Sequence, residues 1–314
     1  MGQREATQVR IAIIGQAAFG EKALETLRGL GHQVVHVFAP ENKPGAKPDP
    51  LAARALALGV AVSHPASYKD DSFQRFCLSP DLDLAVLAFV TRIVPEAVLH
   101  APRQHSICFH PSLLPRHRGA SAVNWAIIQG DAATGVTWFV PDKGIDTGPI
   151  LVQREVRIDE RDTVGSLYFG KLFPLGVETL GEAVELIQSG RAAPRPQDES
   201  AATYEPPCTD QHARIAFSRP AREIYNLVRG CDPQPGAWAC LGNHALRLYG
   251  PALSSGEPRA KAGTVLSITE DGMTVALDSA VLAVARVRLG DQAAKVSPAS
   301  LPAEAGLRVG ARLT

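Results

Sequence analysis

Apolar residues follow two rhythms along this chain, and the rhythm changes near residue 208. Before it, short apolar runs alternate with longer helical stretches. Residues 10–14, 33–39 and 83–89 (Asp-Leu-Ala-Val-Leu-Ala-Phe) are such runs, and the last is continuous enough for a strand buried on both faces. Residues 60–62 read as a short strand, 106–109 (Ser-Ile-Cys-Phe) as the end of another, and 136–140 as one more. Residues 151–158 alternate in character. Helices are expected over 21–30, 51–58, 72–77 and 121–129, with Ser121 as cap and Gly130 as stop. A long one should run from Asp162-Thr163-Val164 to about Gln188, with Leu167, Leu172, Leu175, Leu180, Val184 and Ile187 at broadly helical spacing. This alternation predicts an α/β fold around an open sheet.

After residue 208 the pattern tightens. One helix, 220–229, precedes short strands at 237–241, 245–249, 263–268, 273–277 and 281–289, separated by turn residues. That density argues a small β-barrel. Between the two textures, residues 191–207 hold four prolines and little periodicity, and read as a linker. The expected division is therefore 1–190, a linker over 191–207, and 208–314.

Composition changes this picture little. A length of 314 residues suits two domains, and 45% apolar residues suit an ordinary globular protein. The 32 basic and 32 acidic side chains balance, which removes any global attraction to nucleic acid or membrane. The five cysteines form no paired motif, as expected of a reducing cytoplasm. The start has no secretory pattern, and Ala6 breaks the myristoylation pattern. No apolar run is long enough to span a bilayer.

The chemistry concentrates between Cys108 and Pro149. His110 follows a buried strand at once, and Pro111 stops that strand, so the histidine sits at its carboxyl edge. In open α/β sheets ligands bind at that edge. The later loop Asp142-Lys143-Gly144-Ile145-Asp146-Thr147-Gly148 carries two carboxylates. An imidazole beside a carboxylate is an acid–base pair. On these residues alone, a polar strand cap and an ordinary turn explain the pattern better than catalysis does. Other chemistries drop out. Residues 15–20 form a plain turn, since Glu21 and Lys22 follow where a phosphate loop needs Lys then Ser or Thr, and the dinucleotide glycine spacing is absent. His105, His110 and His117 have no zinc spacing, and no metal is expected.

His110-Pro111-Ser112-Leu113-Leu114-Pro115, then Arg118-Gly119, then Gly144-Ile145-Asp146-Thr147-Gly148, resembles the signature of the 10-formyltetrahydrofolate-dependent formyltransferase family. That family extends to methionyl-tRNA formyltransferases, sugar and amino-acid N-formyltransferases, and the hydrolase domain of 10-formyltetrahydrofolate dehydrogenase. The resemblance covers nearly the whole chain. It implies a Rossmann-like formyltransferase domain with a mostly parallel sheet, followed by a small OB-like β-barrel. It implies an enzyme that takes 10-formyltetrahydrofolate as co-substrate, in the cytoplasm that the scattered cysteines suggest. Catalytic roles carry over to His110 and Asp146, and folate contacts to Phe89, Val90, Ile93, Ser112, Val140 and Asp142.

One position departs from the family. Its transferases usually place Asn two residues before the histidine, where the amide helps bind the formyl oxygen; here that residue is Cys108, and the dehydrogenase's hydrolase domain also lacks the Asn. A thiol is a weak donor. Cys108 as a nucleophile is the sharp alternative to an inert small hydrophobe. The acceptor stays open between a small amine, water and methionyl-tRNA. Against tRNA stand Cys108, the pair Asn124-Trp125, and a 40–50 loop whose only lysines are Lys43 and Lys47.

Overall fold

The computed structural model describes residues 8–42 and 45–314. Ala6, and Lys43 of the 40–50 loop, lie outside the described residues. The rest falls into two compact units: one runs through Arg118 and takes up 135–155 and 172–204, and the other comprises 119–134, 156–171 and 205–314.

The first unit is built on β1 (Arg10–Gly15), α1 (Ala17–Gly29), β2 (Gln33–Phe38), α2 (Pro50–Ala57), β3 (Ala61–Ser63), α3 (Asp71–Cys77), β4 (Leu84–Ala88), α4 (Glu96–Leu99) and β5 (Ser106–His110). The five strands pair in parallel in the order β3-β2-β1-β4-β5. The chain reverses at the β1/β4 boundary, the crossover where such sheets open a ligand crevice. After α5 (Ala122–Ile128), β6 (Ala133–Phe139) and β7 (Ile150–Arg157) extend the sheet past β5. β6 runs antiparallel to β5, so the loop that follows it leaves from beside Cys108 rather than beside His110. α6 (Val164–Leu167) and α7 (Phe173–Gln188) come next in the chain.

Three local expectations change, the first two because a distant residue intervenes. α1 starts at Ala17, not Glu21, and the turn shrinks to Gly15-Gln16; the Asp49 carboxylate accepts the Ala17 N–H at 2.8 Å and stabilises the early start. Ser121 is in the left-handed region (φ 64°) and does not cap α5; its hydroxyl accepts the Cys208 N–H at 3.1 Å. The long helix starts at Thr163 as expected, where Thr163 and Ser166 are bonded reciprocally, but a π-helical turn over Tyr168–Leu172 divides it into α6 and α7.

The second unit carries α8 (Ala221–Gly230), β8 (Ala237–Leu241), β9 (His244–Ser255), β10 (Val265–Thr269), β11 (Gly272–Leu277) and β12 (Ala280–Leu289), with strand order β10-β11-β12-β9-β8, all antiparallel. The tail closes this sheet: Thr314 exchanges backbone bonds with Cys240 of β8, and Ala311 and Leu313 bond to Val265 and Gly263 at β10. Both edges are thereby paired, as a barrel requires. Its core includes Ile224, Val228, Leu246, Val275 and Leu282, all nearly inaccessible. Asn124 and Trp125 belong to this unit's framework. The Asn124 amide donates to the Gly230 and Gln234 carbonyls, and the Trp125 N–H to that of Pro206. Among the described residues, no helix is long and apolar enough to cross a membrane.

Candidate active site

β5 ends on His110 because Pro111 has no N–H with which to extend the ladder. Its last partners on β6 are Phe139 for Cys108 and Thr137 for His110. Strand alternation puts Cys108 and His110 on one face and Phe109 on the other. Phe109 stacks on Phe19 with ring centroids 4.0 Å apart. α7 can lie against this stack only because residue 176 is glycine, since a Cβ there would stand 2.5 Å from the Phe109 ring. The end of β5 is thus wedged from behind.

His110 is 6% exposed. Its Nε2 lies 2.7 Å from the His117 carbonyl oxygen and its Nδ1 3.5 Å from Asp146 Oδ2. Both neighbours are acceptors, and the imidazolium is the one form that donates at both nitrogens. His117 is itself in the left-handed region (φ 58°), and its N–H donates to Thr203 Oγ1 at 2.8 Å. His117, which has no metal-ligand spacing in the sequence, therefore supplies the carbonyl that anchors the imidazole.

Asp146 arrives by a longer route. The loop after β6 is folded on Asp142, whose Oδ1 accepts the Gly144 N–H at 2.9 Å and the Thr147 hydroxyl at 2.5 Å. Gly148 is required where it is, because a Cβ there would overlap the Val140 carbonyl. Asp146 adopts φ 56°, a conformation that costs a non-glycine residue energy and persists only where its surroundings impose it. The Gln197 amide donates to the carbonyls of Asp146 at 2.8 Å and Gly148 at 2.7 Å. Gln197 Oε1 accepts from Arg118 Nε and Nη2 at 3.1 and 2.9 Å. The Arg118 side chain is fully buried and also bonds Glu199 through both carboxylate oxygens and the Tyr204 hydroxyl. That arginine holds the Glu199 carboxyl below its usual range.

Cys108 stands two residues before His110 on the same face of β5. It packs against Leu114, Phe139 and Ile150, and its S–H points to the Phe109 carbonyl at 3.8 Å. Burial first, and the Asp146 carboxylate second, push the thiol well above its ordinary value. It stays protonated at neutral pH, which argues against a thiolate nucleophile.

The other expected contact residues divide. Phe89, in the left-handed region at the end of β4, and Val90 line a crevice at the crossover with Gly15, Gln16, Tyr68 and Arg92; His110 and Asp146 are not among its lining. Ile93 is exposed nearby in sequence. Val140 and Asp142 build the frame of the Asp146 loop. The fully buried Ser112 directs its hydroxyl to the Arg116 carbonyl at 2.7 Å and holds the turn below His110. Among the described residues, no cluster of three or more His, Cys, Asp or Glu is arranged to hold a metal ion.

Gln197, Thr203 and the role of Arg118 were not legible in the sequence. The faint signal was Arg195, Gln197 and Glu199 at period two between prolines, which suits an extended segment with one bonded face. Arg195 does exchange backbone bonds with Ile150 of β7.

Residues 9–172 match the family described as Formyl transferase, and residues 207–299 match Formyl transferase, C-terminal domain. The mitochondrial 10-formyltetrahydrofolate dehydrogenase of Mus musculus is 38% identical over 95% of this chain, which spans 34% of that protein's length. The methionyl-tRNA formyltransferase of Dinoroseobacter shibae is 36% identical over 91% of this chain and 95% of its own. The crystal structure of HypX from Aquifex aeolicus in complex with tetrahydrofolic acid superposes with a TM-score of 0.69 at 18% identity, over 92% of this chain and 45% of that one, a likeness of fold.

Proposed function

The chain belongs to the formyl transferase family, and from that premise we propose that it transfers a formyl group from 10-formyltetrahydrofolate to an amine through His110 and Asp146. The observation that carries this is the buried imidazole at the end of β5 with a carboxylate oxygen 3.5 Å from its Nδ1. The amine nitrogen attacks the formyl carbon, and a C–N bond forms as the carbonyl oxygen gains charge. The His110 cation stabilises that oxyanion. Asp146 takes the proton the attacking nitrogen must lose, directly or through an ordered water. Collapse then breaks the bond to N10, which receives a proton from the same pair, leaving tetrahydrofolate and the formylated amine. Acid–base help of this kind is worth about 100- to 10,000-fold in rate. The folate belongs at the carboxyl edge, near Phe89, Val90 and Ile93 on one side and the Val140–Asp142 backbone on the other. No step needs a metal ion.

Water as the acceptor, giving formate, is the second reading. Two observations favour it: the similarity to the dehydrogenases over nearly the whole chain, and Cys108 in place of an amide donor. Losing one oxyanion donor typically costs about 100- to 1000-fold.

The test is product analysis of the purified protein with 10-formyltetrahydrofolate alone, then with amino acids, amino sugars, hydroxylamines and methionyl-tRNA added singly. Tetrahydrofolate and a formylated product that both depend on a small amine support transfer. Formate without any amine selects hydrolysis, and formylation of the tRNA alone selects that acceptor. No consumption of the donor under any of these conditions overturns formyl transfer altogether.

A further inference from the structure

Residues 195–204 fall within the expected 191–207 linker, yet they bond Asp146 directly and reach His110 through His117. At one end, Arg195 is bridged to Ile150, just after the Asp146 loop, and Gln197 clamps the Asp146 and Gly148 carbonyls. At the other, Thr203 accepts the His117 N–H through its hydroxyl, while its backbone bonds Pro115 and Arg118. His117 in turn presents the carbonyl that holds His110 Nε2. Between the two ends, the buried Arg118 guanidinium gathers Gln197, Glu199 and Tyr204 onto one cation.

We propose that this segment is a positioning strap, and that Gln197 is a positioning residue acting through Asp146. The inference rests on His110 and Asp146 forming the reacting pair. Its logic is geometric. A side-chain amide has two donor hydrogens and one carbonyl oxygen. Gln197 uses the donors on the two backbone carbonyls that flank Thr147, and the oxygen on a guanidinium that cannot turn away because it is buried and held by three side chains. The loop carbonyl at Asp146 is thereby fixed to the interior of the unit. That fixes the left-handed backbone from which the Asp146 carboxylate reaches His110. Without the clamp, an aspartate at φ 56° gains by relaxing toward an ordinary conformation, and its carboxylate leaves the imidazole. A displacement of about 1 Å in a reacting group costs up to roughly 100-fold in rate.

The discriminating variant is Gln197→Glu. It keeps an oxygen for Arg118 and removes the amide donors to the loop. If Gln197 serves only to satisfy Arg118, this variant is as active as the wild type. If it positions Asp146, kcat for consumption of 10-formyltetrahydrofolate falls about 10- to 100-fold with KM for the folate little changed. Amide exchange across residues 142–149 speeds up, while exchange in β1 and β4 stays slow. On an Asp146→Asn background the same change should cost almost nothing further. The melting temperature checks that the variant is folded; should it not fold, Gln197→Met, which keeps the length and loses the amide, takes its place in every measurement.

Unchanged kcat, unchanged loop exchange, or a full loss that persists on the Asp146→Asn background each overturns the inference. Failure of the pair itself shows differently: Asp146→Asn alone then leaves turnover intact.

Discussion

His110 and Asp146 meet at 3.5 Å, but the chain holds them there by opposite means. His110 is placed by neighbours in sequence and by packing. A buried strand delivers it, Pro111 ends the strand, and Phe109 beside it is trapped against Phe19 and α7. Asp146 sits on a loop that leaves the sheet at the other end of an antiparallel strand. It is returned by an Asx-type turn, two tight glycines and a clamp from residue 197. One half is set mainly by a core, with Thr203 reaching it only through His117, and the other by direct hydrogen bonds to a segment about fifty residues away. Packing is insensitive to pH and costly to disturb, whereas a polar clamp on a strained loop is easier to loosen. The site therefore has a rigid half and an adjustable half.

The largest effect should come from removing either half. His110→Ala and Asp146→Asn should each lower turnover at least about 100-fold, with circular dichroism and folate binding little changed. Near-normal turnover in either would remove the pair from the chemistry.

Next in size is an attack on the rigid half alone. Gly176→Ala puts a methyl group 2.5 Å from the Phe109 ring. Overpacking of this kind costs about 1–3 kcal/mol, to be read from urea unfolding. A neutral result would mean that the wall behind β5 is softer than its stacked rings imply.

A smaller effect addresses the adjustable half. Arg118 depresses the Glu199 carboxyl, so the folded form binds its proton less readily than the unfolded chain. The stabilisation is complete above the ordinary value of 4.5 and is lost as pH falls through the lowered one. Acidification below that value should speed amide exchange at 197–204 before it affects β1 or β4. Glu199→Gln should abolish this pH dependence, and a strap equally protected at low pH would show that the ion pair contributes little.

The smallest effect is expected at Cys108, which lies on β5 in the rigid half and feels the Asp146 carboxylate of the other. Cys108→Ala should leave turnover within a few-fold, because the thiol is kept protonated by burial and by Asp146. Cys108→Asn should raise amine formylation if its amide reaches the oxyanion, by about 1 kcal/mol for imperfect placement. Abolished turnover in Cys108→Ala, with a formyl thioester trapped on the wild type, would restore the nucleophile.

The same contrast explains what could be read from the sequence. The parallel strands announce themselves as apolar runs, and β5 with Pro111 locates His110 by local rules. The five barrel strands were legible from their turns, although β9 runs past Tyr249 because Gly250 and Pro251 interrupt the pattern and not the strand. What stayed hidden depends on partners far along the chain. Asp49 starts α1 early, Ser121 bonds Cys208 instead of its own helix, and Gln197 is a polar residue among prolines until Arg118 is seen behind it. Asp142 and Asp146 look alike by residue type and loop position; the family resemblance alone separates them in sequence, and the fold shows one framing the loop and the other facing the imidazole.

The most direct measurement is a double-mutant cycle on consumption of 10-formyltetrahydrofolate, with His110→Ala, Asp146→Asn and the double variant in parallel. Two groups that act as one unit should be strongly non-additive, the double variant losing little more than the worse single. Losses that multiply fully would show that His110 and Asp146 act independently, and would contradict a shared acid–base pair.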